Sequence, residues 1–199
     1  MIKRKKFTFI LVLAIICLVI SLSFAFSLVL STINKQNNMK FDDDYDGIIP
    51  YQSPLKHIKM GVGNIADNGC GILSLYNILV LENKAEKLST IVSKFEKTGL
   101  NIYGVWGTNP ISLMNVLKSY SFKVNYYFDV KYFEEKSKAS KYNILVYVSL
   151  FEQVGHYQLF YDYNEEENSF QCLVPKYKTS LENLMDETKN YFRFLITVN

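Results

Sequence analysis

A cysteine between two glycines stands at the head of an apolar run with helical spacing, in residues 68–79, NGCGILSLYNIL. Cys70 is a candidate nucleophile, because the N–H groups and positive dipole at a helix N-terminus lower the pKa of a thiol placed there. Gly69 and Gly71 let the backbone turn sharply and let a substrate approach closely. The alternative is a small buried side chain at the start of a core helix.

A cysteine nucleophile needs a base, and the chain contains two histidines. His156 opens the alternating apolar stretch HYQLFYDY, which predicts a strand that would hold its imidazole in place. His57, in PLKHIKM, is more consistent with a surface loop. A cysteine on a helix start and a histidine on a strand form a pair suited to nucleophilic catalysis.

A disulfide between Cys70 and Cys172 is the competing use of these sulfur atoms, because an exported domain meets oxidising conditions. Cys172 lies in the apolar stretch SFQCLV, which predicts a core strand position. We therefore favour a free Cys70.

The elements that position these residues change type along the chain. Helical spacing dominates up to about residue 120, and alternating patterns follow, which predicts an α+β domain with helices packed on an antiparallel sheet. The helical patterns are Gly71–Leu81, Lys84–Glu96 (with Gly99 just past its end), the stretch opened by Thr108-Asn109-Pro110, and a short helix within Ser180–Lys189. The alternating stretches are Phe122–Phe128, Tyr142–Leu150, His156–Tyr163, Ser169–Val174 and Tyr191–Val198.

The N-terminal segment predicts a membrane anchor. Residues 1–6 are basic, and residues 7–31 contain no charge and are long enough to cross a bilayer as one helix. Basic residues before the span place the N-terminus in the cytoplasm and the remainder outside the cell membrane. The alternative is a signal peptide cleaved near Ser23-Phe24-Ala25, which would give a secreted protein. Residues 32–48 are predicted as an acidic polar tether, and residues 49–199 as one compact domain.

Charge and composition exclude several function classes. The formal net charge is +3, but residues 3–6 supply four of the 22 basic residues, so the remainder holds 18 basic against 19 acidic residues. A chain without a basic patch outside its anchor is not expected to bind nucleic acid. The acidic run at residues 42–47 resembles the start of a calcium loop but has Ser53 where the bidentate glutamate would stand. We expect neither a metal nor an organic cofactor.

Three stretches together resemble a known family: NGCGILSLYNIL, GTNPISLMNVLKSYSFKV and GHYQLFYDYNEEENSFQCLVP. They are similar to the landmarks of bacterial papain-like cysteine peptidases, nearest to the bacteriocin-leader (double-glycine) branch and its stand-alone relatives. The resemblance extends from about Tyr51 to Phe194. It implies a papain-like fold, a peptide or protein substrate, Cys70 as the nucleophile, and His156 as general base and then general acid.

The chain departs from the family pattern at two positions. The family glutamine that helps to form the oxyanion hole is replaced by Asn64, six residues before Cys70, whose shorter amide we expect to serve as donor. The family Asp or Asn that orients the histidine is replaced by Val174, directly before Pro175. The substitutes that the sequence offers are Asp162, Asn168 and Gln171.

Two functions therefore remain open at the level of sequence. One is a membrane-anchored, extracytoplasmic cysteine peptidase that uses Cys70 and His156. The other is an inactive domain of the same fold that binds a peptide or a protein at the cell surface, which Asn64 and Val174 favour. Trp106 would line the cleft or serve in packing.

Overall fold

The computed structural model describes residues 2–84, 86–97, 107–149 and 154–199. Three sequence predictions fall outside the described residues: Gly99 as the end of the second helix, Trp106 as a cleft or packing residue, and Leu150 as the end of a strand.

Seven α-helices lie in the described residues, and the fold class predicted from the sequence is confirmed. The helix predicted over Gly71–Leu81 forms and begins one residue earlier, at Cys70. The helix after Asn109-Pro110 forms as predicted, because the Asn109 side chain accepts hydrogen bonds from the N–H groups of Ile111 and Ser112. The helices are α1 (Ile2–Asn38), α2 (Ile65–Asn68), α3 (Cys70–Leu81), α4 (Leu88–Lys97), α5 (Pro110–Ser119), α6 (Phe133–Lys138) and α7 (Leu181–Glu187).

All strand pairs are antiparallel. The strands are β1 (Lys59–Met60), β2 (Gly63–Asn64), β3 (Val124–Tyr127), β4 (Tyr142–Ser149), β5 (Val154–Asn164), β6 (Ser169–Leu173), β7 (Tyr177–Thr179) and β8 (Phe192–Val198). β1 and β2 form a small hairpin, and the other six form a sheet in the order β3-β8-β4-β5-β6-β7. The two short strands β1 and β2 and the edge strand β7 have too few residues to show an alternating pattern in the sequence.

The sheet separates two hydrophobic cores, because successive side chains of a strand point to opposite faces. Ile144 and Val146 of β4 pack into the larger core with α3, α4 and α5. Leu145, between them, packs into a smaller core with Phe133 of α6 and Leu184 of α7. The helix that carries Cys70 therefore lies against one defined face of the sheet.

α1 is long and apolar enough to cross a bilayer, and its apolar window is not buried within the protein. Its C-terminal part is different, because four polar side chains spaced by three or four residues face the domain. Ser27 donates to Glu96 O, and the Ser31 hydroxyl contacts the hydroxyl of Ser93. Asn34 donates to Glu96 Oε1 and to Gly61 O. Asn38 exchanges two hydrogen bonds with the backbone of Lys59.

The segment that the sequence predicts as a tether, residues 32–48, is thus in contact with the domain. Residues 32–38 continue α1, and a 3-10 helix follows at Met39–Asp44. Asp42 accepts hydrogen bonds from the N–H and the hydroxyl of Ser89 in the first turn of α4. The polar residues of this stretch are partners for buried backbone and side-chain groups, which the composition alone does not distinguish from a solvated tether.

Candidate active site

Cys70 is the first residue of α3 and only 5% exposed. Three backbone N–H groups interact with its sulfur, those of Tyr157, Gly71 and Cys70 itself. Two of them belong to the N-terminus of α3, where N–H groups have no intrahelical partner. The third belongs to β5, so the thiol bridges the helix and the sheet.

The pKa of the Cys70 thiol differs from the sequence expectation. Burial raises the pKa to about 11, and the three N–H groups of Tyr157, Gly71 and Cys70 only partly oppose it. The expectation of a lowered pKa was wrong in sign because a helix N-terminus offsets less free energy than complete removal of a thiolate from water costs. In this structure Cys70 is therefore a protonated thiol at neutral pH.

The two flanking glycines are required for close packing. A Cβ on Gly69 would lie 2.6 Å from Ile65 Cγ2, and a Cβ on Gly71 would lie 2.8 Å from Thr108 Cβ. Gly69 has φ −98° and ψ 9°, which other residues also adopt, so its role is steric rather than conformational. The absence of both side chains lets α2 and the segment before α5 approach the cysteine.

Gly71→Ala is expected to destabilise the domain by about 1–3 kcal/mol, because the added methyl group overlaps the branched Cβ of buried Thr108. The better helix propensity of alanine, about 1 kcal/mol, offsets part of this. Urea unfolding measures the change. Gly47→Ala is the control, since a Cβ there meets nothing within 4 Å. Equal stability of the two variants would contradict the packing described.

His156 lies on β5, half-buried, directly opposite Tyr147 of β4. Its Nε2 is 3.2 Å from the backbone oxygen of Val174. A carbonyl oxygen only accepts hydrogen bonds, so Nε2 carries the proton and Nδ1 of the neutral ring is left as the basic atom. Burial lowers the pKa of His156, and the bond to Val174 opposes this in part. The imidazole is neutral at pH 7.

The carbonyl of Val174 thus occupies the role that the sequence leaves without a carboxylate. Pairing between β5 and β6 begins at Leu159 and Leu173, so the chain leaves the sheet at Val174 beside His156. Val174 has φ 65°, a left-handed conformation rare for a branched residue. A neutral carbonyl fixes the tautomer as a carboxylate would, but stabilises an imidazolium less.

The three residues that the sequence suggests as substitutes lie elsewhere along the β5–β6 pair. Gln171 pairs with Tyr161, and Asp162 lies at the irregularity that follows. Asn168 accepts a hydrogen bond from the Tyr163 hydroxyl. All three lie further along the β5–β6 pair than the end at which His156 is found.

Asn64 caps α2. Its side-chain oxygen accepts from Asp67 N–H at 3.1 Å, and its amide nitrogen donates to Asp67 Oδ2 at 2.7 Å. One amide hydrogen is therefore committed to Asp67, and an oxyanion role depends on the other. An Asn directly before a helical turn is a common N-cap, so the sequence pattern predicts this role for Asn64. The family resemblance instead indicated an oxyanion donor at this position.

The Cys70 thiol and His156 both lie near the end of β5. The Cys70 thiol interacts with the N–H of Tyr157, the residue next to His156, at a point where β6 does not yet pair with β5. Cys172 belongs to the core on the other face of the sheet, and all three cysteines are free. The alternative disulfide between Cys70 and Cys172 is thus absent.

Two groups in contact with His156 have no signal in the sequence: the backbone oxygen of Val174 and the ring of Tyr147. A backbone acceptor has no residue type, so no motif could indicate it. The described residues contain no group of three or more His, Cys, Asp or Glu side chains placed to hold a metal ion.

The chain is similar to known proteins in its fold, whereas its sequence matches no family model and gives no significant match to a curated protein. Among solved structures, the chain is similar to the peptidase domain of Streptococcus ComA, a bi-functional ABC transporter involved in a quorum-sensing pathway, with a TM-score of 0.49 and 13% identity over 66% of this chain and 91% of that chain.

Two structures of the peptidase domain of Streptococcus mutans ComA are also similar, both at 15% identity. The complex with a small-molecule inhibitor has a TM-score of 0.36 and covers 48% of this chain and 77% of that chain. The other has a TM-score of 0.35 and covers 47% and 76%. These three solved structures are all peptidase domains.

Proposed function

We propose that this chain is a cysteine peptidase that hydrolyses a peptide bond with Cys70 and His156. The proposal rests on two contacts of neighbouring residues on β5. The Cys70 thiol interacts with the N–H of Tyr157, and the adjacent His156 donates from Nε2 to Val174 O. This tautomer leaves Nδ1 free to accept the thiol proton.

The chemistry follows from the protonation states. Nδ1 of His156 takes the proton of Cys70 as the sulfur attacks the peptide carbonyl carbon. The N–H groups of Cys70 and Gly71 at the α3 N-terminus stabilise the oxyanion, with the second amide hydrogen of Asn64 as an additional donor. His156 returns the proton to the leaving amine, and water then hydrolyses the thioester to release the acid and regenerate the thiol.

The placement of the protein is also a proposal. α1 crosses the cell membrane, and the domain of residues 49–199 lies on the extracytoplasmic side, where it meets a peptide or protein substrate. The uncharged stretch of α1 at residues 7–31, whose apolar window is not buried within the protein, and the basic residues 3–6 at the start of the helix support this topology. Secretion after signal cleavage is the alternative. Protease protection of the domain in intact cells and spheroplasts distinguishes the cytoplasmic from the external face.

The activity is tested with the full-length chain in detergent and a mixture of internally quenched peptides of varied sequence. We expect cleavage that depends on Cys70 and follows a defined sequence preference, which mass spectrometry of the products identifies. An alternative is a non-catalytic binding module, favoured by the raised pKa of Cys70 and by the bonds between Asn64 and Asp67. Binding of the same peptides without cleavage would support that alternative.

The pH dependence distinguishes a neutral pair from a thiolate–imidazolium pair. His156 must be neutral to act as base, and burial lowers its pKa from 6.5. Activity is therefore expected to fall only below pH 6.5. On the alkaline side, the pKa of Cys70 of about 11 predicts a plateau through pH 9. Measurement of kcat/KM from pH 4 to 9 tests this; a decline beginning near pH 8 would contradict the neutral pair.

A further inference from the structure

The ring of Tyr147 packs against His156. The two residues are directly opposite each other in the β4–β5 pair, and their ring centroids are 5.4 Å apart with a 53° angle between the planes. Tyr147 also contacts the ring of Tyr191, with 5.6 Å between the ring centroids. Tyr147 therefore contacts both His156 and a second aromatic side chain.

Tyr147 is also electrostatically close to the nucleophile. Its pKa is raised to about 12, first by burial and then by the charge that Cys70 would carry, with smaller effects from Glu187 and Tyr191. Its hydroxyl is therefore neutral throughout the pH range of the proposed reaction. A neutral tyrosine ring can restrain the orientation of the imidazole without adding a charge beside it.

The need for such a neighbour follows from the single hydrogen bond described for His156. The bond from Nε2 to Val174 O fixes which nitrogen bears the proton, but one hydrogen bond restrains rotation of the ring about its Cβ–Cγ bond only weakly. Such rotation would change the direction in which Nδ1 points. An aromatic side chain in contact with the imidazole opposes that rotation, because the close packing between the strands would be lost.

We propose that Tyr147 is a positioning residue, whose ring holds the His156 imidazole in the orientation that presents Nδ1 to the Cys70 thiol. The proposal rests on the proposed peptidase function for its kinetic consequences, although the restraint on His156 exists with or without catalysis. The ring, rather than the hydroxyl, provides the restraint.

The test compares Tyr147→Phe, which keeps the ring, with Tyr147→Leu, which removes it. Displacement of a base by about 1 Å costs up to about 100-fold in rate, so Tyr147→Leu is expected to lower kcat by about 10- to 100-fold with little change in KM. Tyr147→Phe is expected to retain activity within about threefold. Tyr163→Leu is the matched control, because Tyr163 lies on β5 but packs against Phe170.

A second readout does not depend on activity. In Tyr147→Leu, water gains access to His156, so its NMR titration is expected to move up toward an ordinary pKa, and its nitrogen shifts to show a mixture of tautomers. Tyr147→Phe and Tyr163→Leu are expected to match the wild-type titration. Tyr147→Met, whose unbranched and flexible side chain adapts better to the space of the ring, carries the comparison if the leucine variant does not fold.

The outcomes separate the two proposals. An unchanged His156 titration and tautomer in the folded leucine or methionine variant would overturn the role of Tyr147. Wild-type protein that cleaves no peptide would overturn the peptidase function, while the NMR comparison would still decide whether Tyr147 restrains His156. A kcat loss in Tyr147→Phe equal to that in Tyr147→Leu would assign the effect to the hydroxyl and contradict the proposal.

Discussion

Cys70→Ala is expected to lower peptide cleavage by the full-length chain by at least about 1,000-fold, because the proposed reaction passes through a bond to its sulfur. His156→Ala is expected to cause a loss of similar size, since the thiol with a pKa of about 11 loses the group that accepts its proton. The double variant is expected to be no worse than either single variant, because the two residues act as a unit.

The control for this prediction is Cys172→Ala. Cys172 is buried on the opposite face of the sheet, in the core that contains Phe160 and Phe170. The variant is expected to lose some stability but to keep its activity at a temperature where it is folded. Cleavage that persists in Cys70→Ala, or that disappears in folded Cys172→Ala, would contradict the assignment of the nucleophile.

Glu96→Ala is expected to lower the free energy of unfolding by about 2–4 kcal/mol, the largest effect on stability that we predict. Glu96 is 7% exposed, and its Oε1 accepts hydrogen bonds of 2.7 Å from Asn34 Nδ2 and from Gly61 N–H. Its removal leaves two buried donors without this acceptor and loosens the contact between α1 and α4.

Urea unfolding of the detergent-solubilised chain measures the effect. Glu135→Ala is the matched control, because Glu135 forms an exposed ion pair with Lys136, and such pairs contribute less than about 1 kcal/mol. A loss in Glu96→Ala no larger than in Glu135→Ala would show that α1 does not dock on the domain through this network.

The same carboxyl group predicts a pH dependence of stability. Burial raises the pKa of Glu96 above its ordinary 4.5, while Asn34, Gly61 and Ser31 partly oppose the shift. The folded state therefore holds the proton more tightly than the unfolded state does. This contribution is fully present below pH 4.5 and is lost as the pH rises through the folded pKa.

Glu96→Gln isolates this contribution, because glutamine keeps the acceptor oxygen but does not titrate. Relative to the wild type, the glutamine variant is expected to become progressively more stable as the pH rises from 4 to 8. Unfolding free energies of both proteins at several pH values measure the difference. A constant difference across this range would mean that Glu96 does not titrate differently in the folded and unfolded states.

The elements with strong local signals were predictable from the sequence. α3 has a run of apolar residues bounded by Gly69, α5 has an Asn cap followed by proline, and β4 and β8 are short runs rich in β-branched and aromatic residues. These signals depend on neighbours a few residues apart. The docking of Asn34 on Glu96 connects residues far apart in the chain, so the polar composition around Asn34 suggested a tether instead.

Flanking glycines and a strand pattern in the sequence indicate Cys70 and His156 as the candidate pair, and their catalytic roles stay a prediction. The details of their surroundings were not predictable. The raised pKa of Cys70 depends on how completely the folded chain excludes water from the sulfur, which no local pattern encodes. The orienting acceptor is a backbone oxygen at Val174, a group that every residue carries, so only the course of the chain after β6 identifies it.

The central claim is that His156 makes Cys70 a nucleophile toward a peptide carbonyl. The most direct measurement is intact-protein and peptide-level mass spectrometry after incubation of the full-length chain with a peptidyl fluoromethyl ketone. The peptide portion of this probe is taken from the sequence that the wild type cleaves. If no peptide is cleaved, it is taken from a pooled library. The structure predicts a single adduct at Cys70 in the wild type and at least about 100-fold slower modification in His156→Ala. Modification at equal rates in both proteins, or an adduct at Cys172 instead, would contradict the claim.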